Sequence, residues 1–232
     1  MLNNKKIYAL IPARGGSTRL PLKNILPLNG KPLISYTIEQ AKKSKYIDRV
    51  IVSTDNEKIS EVSKSYNAEV PFLRPENISG TYALPHSYIT HFYNFINNNG
   101  DEIPYITVLL QPTSPLRTAE DIDKAIELFN NVNVEEVISV CASDKKPFWY
   151  RTLDENGYLV DYTDFSKNNN DKPCYILNGA IYAFKTDCFK DNEGIIATKV
   201  FPYEMPPERS IDIDRDIDFE LAELLLKRTE NC

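Results

Sequence analysis

The chain has 232 residues, of which 42% are hydrophobic and 26% charged, so it can bury a core without disulfide or metal support. Its net charge of −6 argues against nucleic-acid binding as its main role. The first apolar run is too short for a signal peptide, no segment approaches a membrane span, and the four cysteines lack zinc spacing. We expect one domain over residues 1–232, in a cytoplasmic protein without nucleic-acid or membrane partners.

Short apolar runs alternate with helical patterns along the first part of the chain. Strands are predicted at Ile7–Ile11, Val50–Val52, Glu69–Phe72, Ile106–Leu110 and Val137–Cys141. Helices are predicted over Leu33–Lys43, Asn56–Tyr66, the stripe from Leu84 to Ile96, and Ala119–Phe129. This alternation is typical of βαβ units and predicts an α/β fold, with a mostly parallel central sheet flanked by helices. Ligands of such sheets bind where the strands end.

The alternation breaks at about residue 144. Residues 144–176 carry aromatic side chains without helical spacing and are interpreted as a protruding arm or small lobe. The aromatic residues are Phe148, Trp149, Tyr150, Tyr158, Tyr162, Phe165 and Tyr175. They favour a surface for another copy of the chain, with a hairpin packed on its own domain as the alternative. A strand at Ala180–Phe184 and a helix from about Arg215 complete the chain.

The first predicted strand leads into a loop, Ile11–Asn24, that is rich in glycine and basic residues. Gly15 and Gly16 let backbone amides approach an anion closely, and Arg14 and Lys23 can neutralise phosphate charge. The loop has neither a Walker A nor a GxGxxG pattern. It predicts phosphate binding, with an ordinary solvated turn as the alternative.

A second polar motif, Arg209–Asp214, alternates isoleucine with aspartate. If it is a strand, Asp212 and Asp214 lie on one side, about 6.6 Å apart along the chain. Two such carboxylates repel each other unless a cation lies between them, and Mg²⁺ binds carboxylates together with substrate phosphates. The motif predicts a metal site, although Asp214 or Asp216 could instead cap the following helix.

A third motif, Leu109–Arg117, follows a buried strand and contains two prolines that stiffen it. Gln111, Thr113 and Ser114 offer neutral hydrogen-bonding groups suited to a polyol or a base edge. Thr118 is predicted to cap the next helix, with Asp121 as the acid of a capping box. A loop that only starts this helix is the alternative.

Six blocks of the sequence carry a family resemblance. They are Ile11–Asn24 (IPARGGSTRLPLKN), Val52–Asp55 (VSTD), Leu73–Pro75 (LRP), Leu109–Arg117 (LLQPTSPLR), Asn178–Tyr182 (NGAIY) and Arg209–Asp214 (RSIDID). In this order they resemble the acylneuraminate cytidylyltransferases, the CMP-sialic acid synthetases, over nearly the whole chain. The cytidylyltransferases for the sugar acid KDO share the first block in a looser form.

The resemblance implies a nucleotide-diphospho-sugar transferase-like fold and a Mg²⁺-dependent reaction. CTP and a nonulosonic acid, N-acylneuraminate or legionaminate, would give a CMP-sugar and pyrophosphate. It also implies a homodimer that exchanges an arm, in agreement with residues 144–176. The alternatives are a cytidylyltransferase for another sugar acid such as KDO, or a non-catalytic nucleotide-binding member of the family.

The resemblance also implies roles for individual residues. Those that would bind the nucleotide are Arg14, Gly15, Gly16, Ser17, Asn24 and, on the cytidine side, Arg74. Those that would face the sugar acid are Gln111, Thr113 and Asn178. Lys23 would hold the triphosphate, and Asp212 and Asp214 would bind Mg²⁺. Arg14, Lys23 and Asp212 would be catalytic.

The sequence departs from the family pattern in two places. Thr81 stands where an aspartate is usual and Pro85 lies near a usual serine, so contacts to the base or ribose are expected to differ. Arginines that usually precede the NGAIY block are absent. Either Lys167 or Lys172 replaces them at the substrate carboxylate, or the preferred sugar is not N-acetylneuraminate, with legionaminate as a candidate.

Overall fold

The structure is a computed structural model that describes residues 4–17, 20–131, 133–146, 149–162, 173–190 and 193–230. Its strands are β1 (Ile7–Pro12), β2 (Pro27–Leu28), β3 (Lys31–Pro32), β4 (Arg49–Ser53), β5 (Ile106–Leu109), β6 (Glu136–Ala142), β7 (Arg151–Leu153), β8 (Leu159–Asp161), β9 (Tyr175–Lys185), β10 (Phe189–Lys190), β11 (Gly194–Ile195) and β12 (Val200–Glu204). Its α-helices are α1 (Leu33–Lys43), α2 (Glu57–Ser65), α3 (Pro85–Asn98), α4 (Ala119–Glu127) and α5 (Asp216–Glu230). Within the described ranges, no helix is both long and apolar enough to cross a membrane.

Six strands form one mixed sheet in the order β12-β6-β9-β5-β1-β4. β9 runs antiparallel to both of its neighbours, β5 and β6. The other neighbouring pairs are parallel, so five of the six strands point the same way. The predicted α/β fold with a mostly parallel sheet is therefore confirmed.

The sheet is covered by helices on both faces because its strands bury alternate side chains on opposite sides. Ile7, Ala9 and Ile11 of β1 belong to a core cluster that includes Ile38 of α1 and Ile122 of α4. The intervening residues of β1, Tyr8 and Leu10, belong to a second cluster with Phe92 and Ile96 of α3. A continuous apolar run such as Ile7–Ile11 is typical of a central strand buried on both faces.

Two predicted elements mark the limits of local patterns. The helix predicted over Leu33–Lys43 is confirmed with the same bounds. The strand predicted over Glu69–Phe72 is wrong, since the only pairing there is two isolated bridges, Ile51 with Glu69 and Thr54 with Leu73. Pro71 lies between the two bridged positions, and its missing N–H cannot contribute to a continuous ladder.

Part of the predicted arm is a β-hairpin formed by antiparallel β7 and β8. Every residue of both strands is exposed, and so are the neighbouring aromatics Trp149, Tyr158 and Tyr162. The predicted arm residues Phe148, Phe165, Lys167 and Lys172 lie outside the described residues. The partner of this surface stays a prediction.

The predicted strand at residues 211–214 is wrong, because this segment is irregular and pairs with no other strand. Ile213 is fully buried in a third cluster with Leu28, Leu33 and Ala222 of α5. The segment follows a 3-10 turn at Pro207–Arg209, past the last residue of the edge strand β12. Burial of one isoleucine, rather than a ladder, holds the acidic segment in place.

Candidate active site

Six of the twelve predicted site residues line one cavity at the carboxyl ends of β1 and β5: Arg14, Ser17, Lys23, Asn24, Gln111 and Thr113. The cavity has a volume of about 320 Å³. Its lining residues are Pro12, Arg14, Ser17, Lys23, Asn24, Gly80, Thr81, Ala83, Pro85, Tyr88, Gln111, Pro112 and Thr113. The first and third sequence motifs therefore share one cavity, as expected for loops that follow neighbouring parallel strands.

The glycine loop, Ile11–Asn24, is held in place by the loop after β4. The Gly15 amide donates a hydrogen bond of 2.8 Å to the Asp55 carboxylate. A Cβ added to Gly15 would lie 2.9 Å from Cβ of Asn56, the residue that caps α2, so the approach excludes a side chain. No role for Asp55 was predicted from the sequence, although its place directly after a strand was a signal. Gly16 belongs to the same loop, and a Cβ added to it would have no atom within 4 Å.

The walls of the cavity are linked by side chains predicted to bind nucleotide. Arg14 donates a 3.0 Å hydrogen bond to the Gly80 carbonyl, and the Asn24 amide donates one of 3.0 Å to the Arg14 carbonyl. Thr81 and Pro85, where the sequence departs from the family pattern, line the same cavity. The departures therefore lie on the wall opposite the glycine loop.

Lys23 joins the glycine loop to the acidic segment. Its Nζ donates a 2.5 Å hydrogen bond to the Ile213 carbonyl and lies 3.2 Å from the Asp214 carboxylate. These residues are separated by about 190 positions in the sequence, so the contact is tertiary. The phosphate-loop and acidic motifs, identified separately, thus belong to one site.

The two aspartates lie beside the third motif. The Ile213 amide between them donates a 2.8 Å hydrogen bond to the Thr113 carbonyl. Partial desolvation raises the pKa of the Asp212 carboxyl, the nearby Asp214 carboxylate adds to this, and Thr113 and Lys23 act in the opposite direction. A bound cation would offset this burial and the charge of Asp214, and so would favour the ionised form of Asp212.

A divalent cation at this position would need ligands besides the protein. In the part of the chain that the structure describes, no group of three or more histidine, cysteine or acidic side chains could hold a metal ion. Asp212 and Asp214, together with phosphate oxygens of a nucleotide, form the hard oxygen donor set that Mg²⁺ prefers. The residues present therefore fit the predicted Mg²⁺.

Of the three residues predicted to face the sugar acid, Gln111 and Thr113 line the cavity and Asn178 does not. Gln111 lines the cavity, and its Oε1 lies only 2.9 Å from where a Cβ of Gly179 would be. The buried Asn178 accepts a 2.6 Å hydrogen bond from Ser139 and donates one of 3.0 Å to Ser210. Its amide therefore ties β9 to the acidic segment, and its contact with a sugar acid stays a prediction.

Arg74, predicted on the cytidine side, is buried behind the cavity wall. Its guanidinium donates hydrogen bonds of 2.5 and 3.1 Å to the carbonyl and hydroxyl of Ser53, and lies 4.9 Å from the ring centre of Tyr88. Burial lowers the pKa of Arg74. Tyr88 itself lines the cavity, so Arg74 supports a wall residue, and direct contact with cytidine stays a prediction.

One ion pair behind the site was not predicted. The buried Asp121 carboxylate accepts hydrogen bonds of 2.8 and 3.0 Å from Arg209, just before the acidic segment. The same carboxylate completes the predicted capping box with Thr118, which is confirmed. Asp121 therefore connects the start of α4 to the segment that carries the two aspartates.

The fold and site define a nucleotide-binding α/β protein with a basic loop opposite an acidic pair. Residues 8–223 match the protein family described as Cytidylyltransferase, and the chain belongs to this family. A solved structure described as CMP:2-keto-3-deoxy-manno-octonic acid synthetase complexed with CTP has a similar fold. Its TM-score is 0.69 at 16% identity, over 97% of this chain and 99% of that one.

Two curated relatives are similar in sequence. The CMP-N,N'-diacetyllegionaminic acid synthase of Legionella pneumophila is 38% identical over 98% of this chain and 99% of its own length. The N-acylneuraminate cytidylyltransferase of Escherichia coli is 36% identical over 94% of this chain but 51% of its own length. The chain thus spans the whole of the first relative and about half of the second.

Proposed function

We propose that this chain is an enzyme that transfers CMP from CTP to the anomeric hydroxyl of a nonulosonic acid, releasing pyrophosphate. The observation that carries the proposal is the Lys23 bridge between the glycine loop and the Asp212–Asp214 segment, at one cavity of a cytidylyltransferase-family chain. The names of the Legionella and Escherichia relatives support the substrate class.

The protein contributes mainly charge and orientation to such a transfer. The anomeric oxygen attacks the α-phosphorus in line while the bond to pyrophosphate breaks. Lys23 and Arg14 would neutralise charge on the phosphates, and the Gly16 amide would add a directed donor. The predicted role of the Gly15 amide does not fit, because its one N–H is donated to Asp55. Holding both substrates beside one another makes the step effectively unimolecular.

Asp212 and Asp214 would hold a Mg²⁺ ion beside Lys23, which lines the cavity, although neither aspartate lines it. When bound, the ion would supply a Lewis acid that neutralises phosphate charge. The support is the raised pKa of Asp212 and the proximity of Asp214. Lys23 brings a positive charge to Asp214, and Arg215 lines the same surface pocket as the two aspartates.

Among the nonulosonic acids, a legionaminate is our first candidate. The support is the 38% identity with the Legionella synthase over its full length. The absence of the arginines usual before Asn178 also favours a sugar other than N-acetylneuraminate. A relative named pseudaminic acid cytidylyltransferase, from Campylobacter jejuni, is 30% identical. Pseudaminate is therefore a third candidate substrate.

A substrate panel tests the reaction. Pyrophosphate release would be measured with each of the four ribonucleoside triphosphates and with N,N'-diacetyllegionaminate, N-acetylneuraminate, pseudaminate and KDO, with and without Mg²⁺. We expect release with CTP, Mg²⁺ and a nonulosonic acid. Preference for KDO would replace the substrate class, and no release with any pair would overturn the enzyme assignment.

The metal assignment has its own test. Asp212→Asn keeps the shape of the side chain and removes its charge, and we expect turnover to fall on the order of 10²-fold. The far-ultraviolet spectrum and unfolding midpoint should stay close to the wild type. Turnover within tenfold of the wild type would contradict a metal role for Asp212.

We also propose that the enzyme is a homodimer joined through the arm and acts in the cytoplasm. The exposed hairpin β7–β8 with its aromatic neighbours supports the dimer. Cys141 and Cys188 form no disulfide bond among the described residues, which supports a reducing compartment.

A further inference from the structure

A buried arginine behind the cavity has no role in the family resemblance. Arg117, at the end of the third motif, is 1% exposed. It donates hydrogen bonds of 2.8 Å to the Ala180 carbonyl, 3.3 Å to the Gln111 carbonyl and 2.7 Å to the Thr37 hydroxyl. Its Nε has no hydrogen-bond partner among the described residues.

The charge of Arg117 is held by neutral acceptors alone. Asp121 is the one acid whose charge acts on it, and that carboxylate is bonded to Arg209. Burial lowers the pKa of the Arg117 guanidinium to about 9, so it remains protonated at neutral pH. A buried cation without a carboxylate partner is costly, and an apolar side chain would fill the same space at lower cost. The position therefore needs what only a guanidinium provides, several donors in a fixed plane.

The Gln111 and Ala180 carbonyls that Arg117 contacts lie just past the end of the hydrogen-bonded ladder between β5 and β9. The ladder between β5 and β9 ends at the pair Leu109 and Tyr182. Gln111 and Ala180 both lie beyond that pair, so no ladder hydrogen bond joins them. Arg117 reaches both carbonyls and so joins the chain after β5 to the middle of β9, where the two strands are no longer paired.

A small displacement of the groups that Arg117 joins would directly move Gln111, which lines the cavity. Gly179, next to Ala180, has a φ of +74°, and the Gln111 amide oxygen occupies the space that its Cβ would fill. The Asp212 carboxylate lies on the same side, 3.6 Å from that Cβ position. The Thr37 hydroxyl also donates to the Gln111 carbonyl, at 3.4 Å, so it reinforces the same link.

We propose that Arg117 is a positioning residue that fixes the chain just after β5, at Gln111, against Gly179 and Ala180 of β9, where the register with β6 shifts, and so sets the sugar-acid side of the active site. This inference rests on the proposed function. It assigns Arg117 no contact with either substrate, since the guanidinium is enclosed by protein groups.

The test compares three variants in the full-length enzyme with CTP and the acid that the panel identifies. Arg117→Met removes all five donors, Thr37→Val removes one partner with little change in shape, and Arg49→Met is the control. Arg49 is a partly buried arginine at the far edge of the sheet, paired with Glu69 and Asp101. The KM for each substrate and the unfolding midpoint would be measured for every variant.

We expect Arg117→Met to raise the KM for the sugar acid about tenfold while the KM for CTP changes less than about twofold. Thr37→Val should give a smaller rise for the same substrate. Arg49→Met should lower the unfolding midpoint and leave both KM values unchanged. If Arg117→Met does not fold, the Thr37→Val result decides.

Two results would overturn the inference while leaving the proposed function intact. One is an unchanged KM for the sugar acid in both the Arg117 and Thr37 variants. The other is an equal rise for both substrates, which would indicate general loosening. A wild-type enzyme that is inactive with every acid would overturn both the proposed function and this inference.

Discussion

Lys23 shows how a single side chain can connect two distant motifs. The 3-10 turn at Lys23–Ile25 starts after Leu22, whose φ of 53° is left-handed, and this turn directs Lys23 away from its own loop. Its ammonium group then lies between the cavity and the acidic segment. One charge can therefore serve both the fold of the site and the binding of a triphosphate.

Replacing Lys23 separates these two roles. We expect Lys23→Met to lower kcat on the order of 10²-fold, because Lys23 is the one lysine among the described residues that line the cavity. Steady-state kinetics with CTP would measure it, with Lys31→Met as the control. Lys31 pairs with Glu39 on the surface, where an ion pair contributes little. A Lys23 variant that loses stability but keeps its kcat would contradict the phosphate role.

Among the secondary-structure elements, α4 is connected to the acidic segment through the side chain of Asp121. It caps α4 through Thr118, accepts two hydrogen bonds from Arg209, and accepts another of 3.0 Å from Tyr203 of β12. Burial opposes ionisation of its carboxyl, but the hydrogen bonds from Arg209 and Thr118 outweigh burial and lower its pKa. A helix start, an edge strand and the site loop thus depend on one carboxylate.

The lowered pKa predicts how this joint responds to pH. Its stabilisation is complete above about pH 4, the unfolded value for an aspartate, and is lost as the pH falls through the lower folded value. We expect Asp121→Asn to lower the free energy of unfolding at pH 7 by about 2 to 3 kcal/mol, less than for a fully buried pair because Arg209 touches solvent.

Urea unfolding from pH 7 to pH 3 would measure this difference. The gap between wild type and Asp121→Asn should narrow as the solution becomes more acidic than about pH 4. A gap that stays constant over the whole range would show that the carboxylate charge does not matter.

What the sequence could predict follows from the range over which each signal acts. The helix Leu33–Lys43 and the Thr118 capping box are set by neighbours within a few positions, and both were predicted. Arg117 and Arg209 act through partners that lie over 60 positions away, and no local pattern carries that information. The alternation at Ile211–Asp214 indicated burial correctly but not a strand, since a strand also needs a neighbour.

The candidate site was predictable to the same extent. Composition pointed to the glycine loop and the aspartate pair, and the Lys23–Asp214 contact brings them together. This contact was not predictable from strand order, because the acidic segment follows β12, which is not next to β1. Whether a polar side chain points into the cavity or behind it was not predictable. The side chains of Asn178 and Arg74 both bond to protein groups: Asn178 donates to the Ser210 hydroxyl, and Arg74 donates to the Ser53 carbonyl.

At the scale of the whole molecule, the arm is the part least explained by the chain itself. Leu153, Tyr158 and Leu159 are 63%, 71% and 72% exposed, which is unusual for adjacent large apolar side chains. A two-stranded hairpin alone is at best marginally stable in water. Contact with a second copy would cover this surface and stabilise it.

The dimer can be tested by weakening this surface. We expect the double variant Tyr158→Ser, Leu159→Ser to convert a dimer to a monomer in sedimentation velocity experiments at micromolar concentration. Tyr82→Ser is the control, since Tyr82 is 94% exposed but lies outside the arm. A wild-type chain that sediments as a monomer, or a variant that stays dimeric, would contradict the arm-mediated dimer.

The position of Ile213 has a consequence for the chemistry beside it. This side chain is anchored between α1 and α5 by contact with hydrocarbon, and such contact is neither screened by salt nor altered by titration. The backbone between the two carboxylates is therefore anchored by the buried Ile213 side chain and not by the charges of the carboxylates. Ionic strength can therefore change how strongly the two carboxylates would attract a cation without weakening this apolar contact.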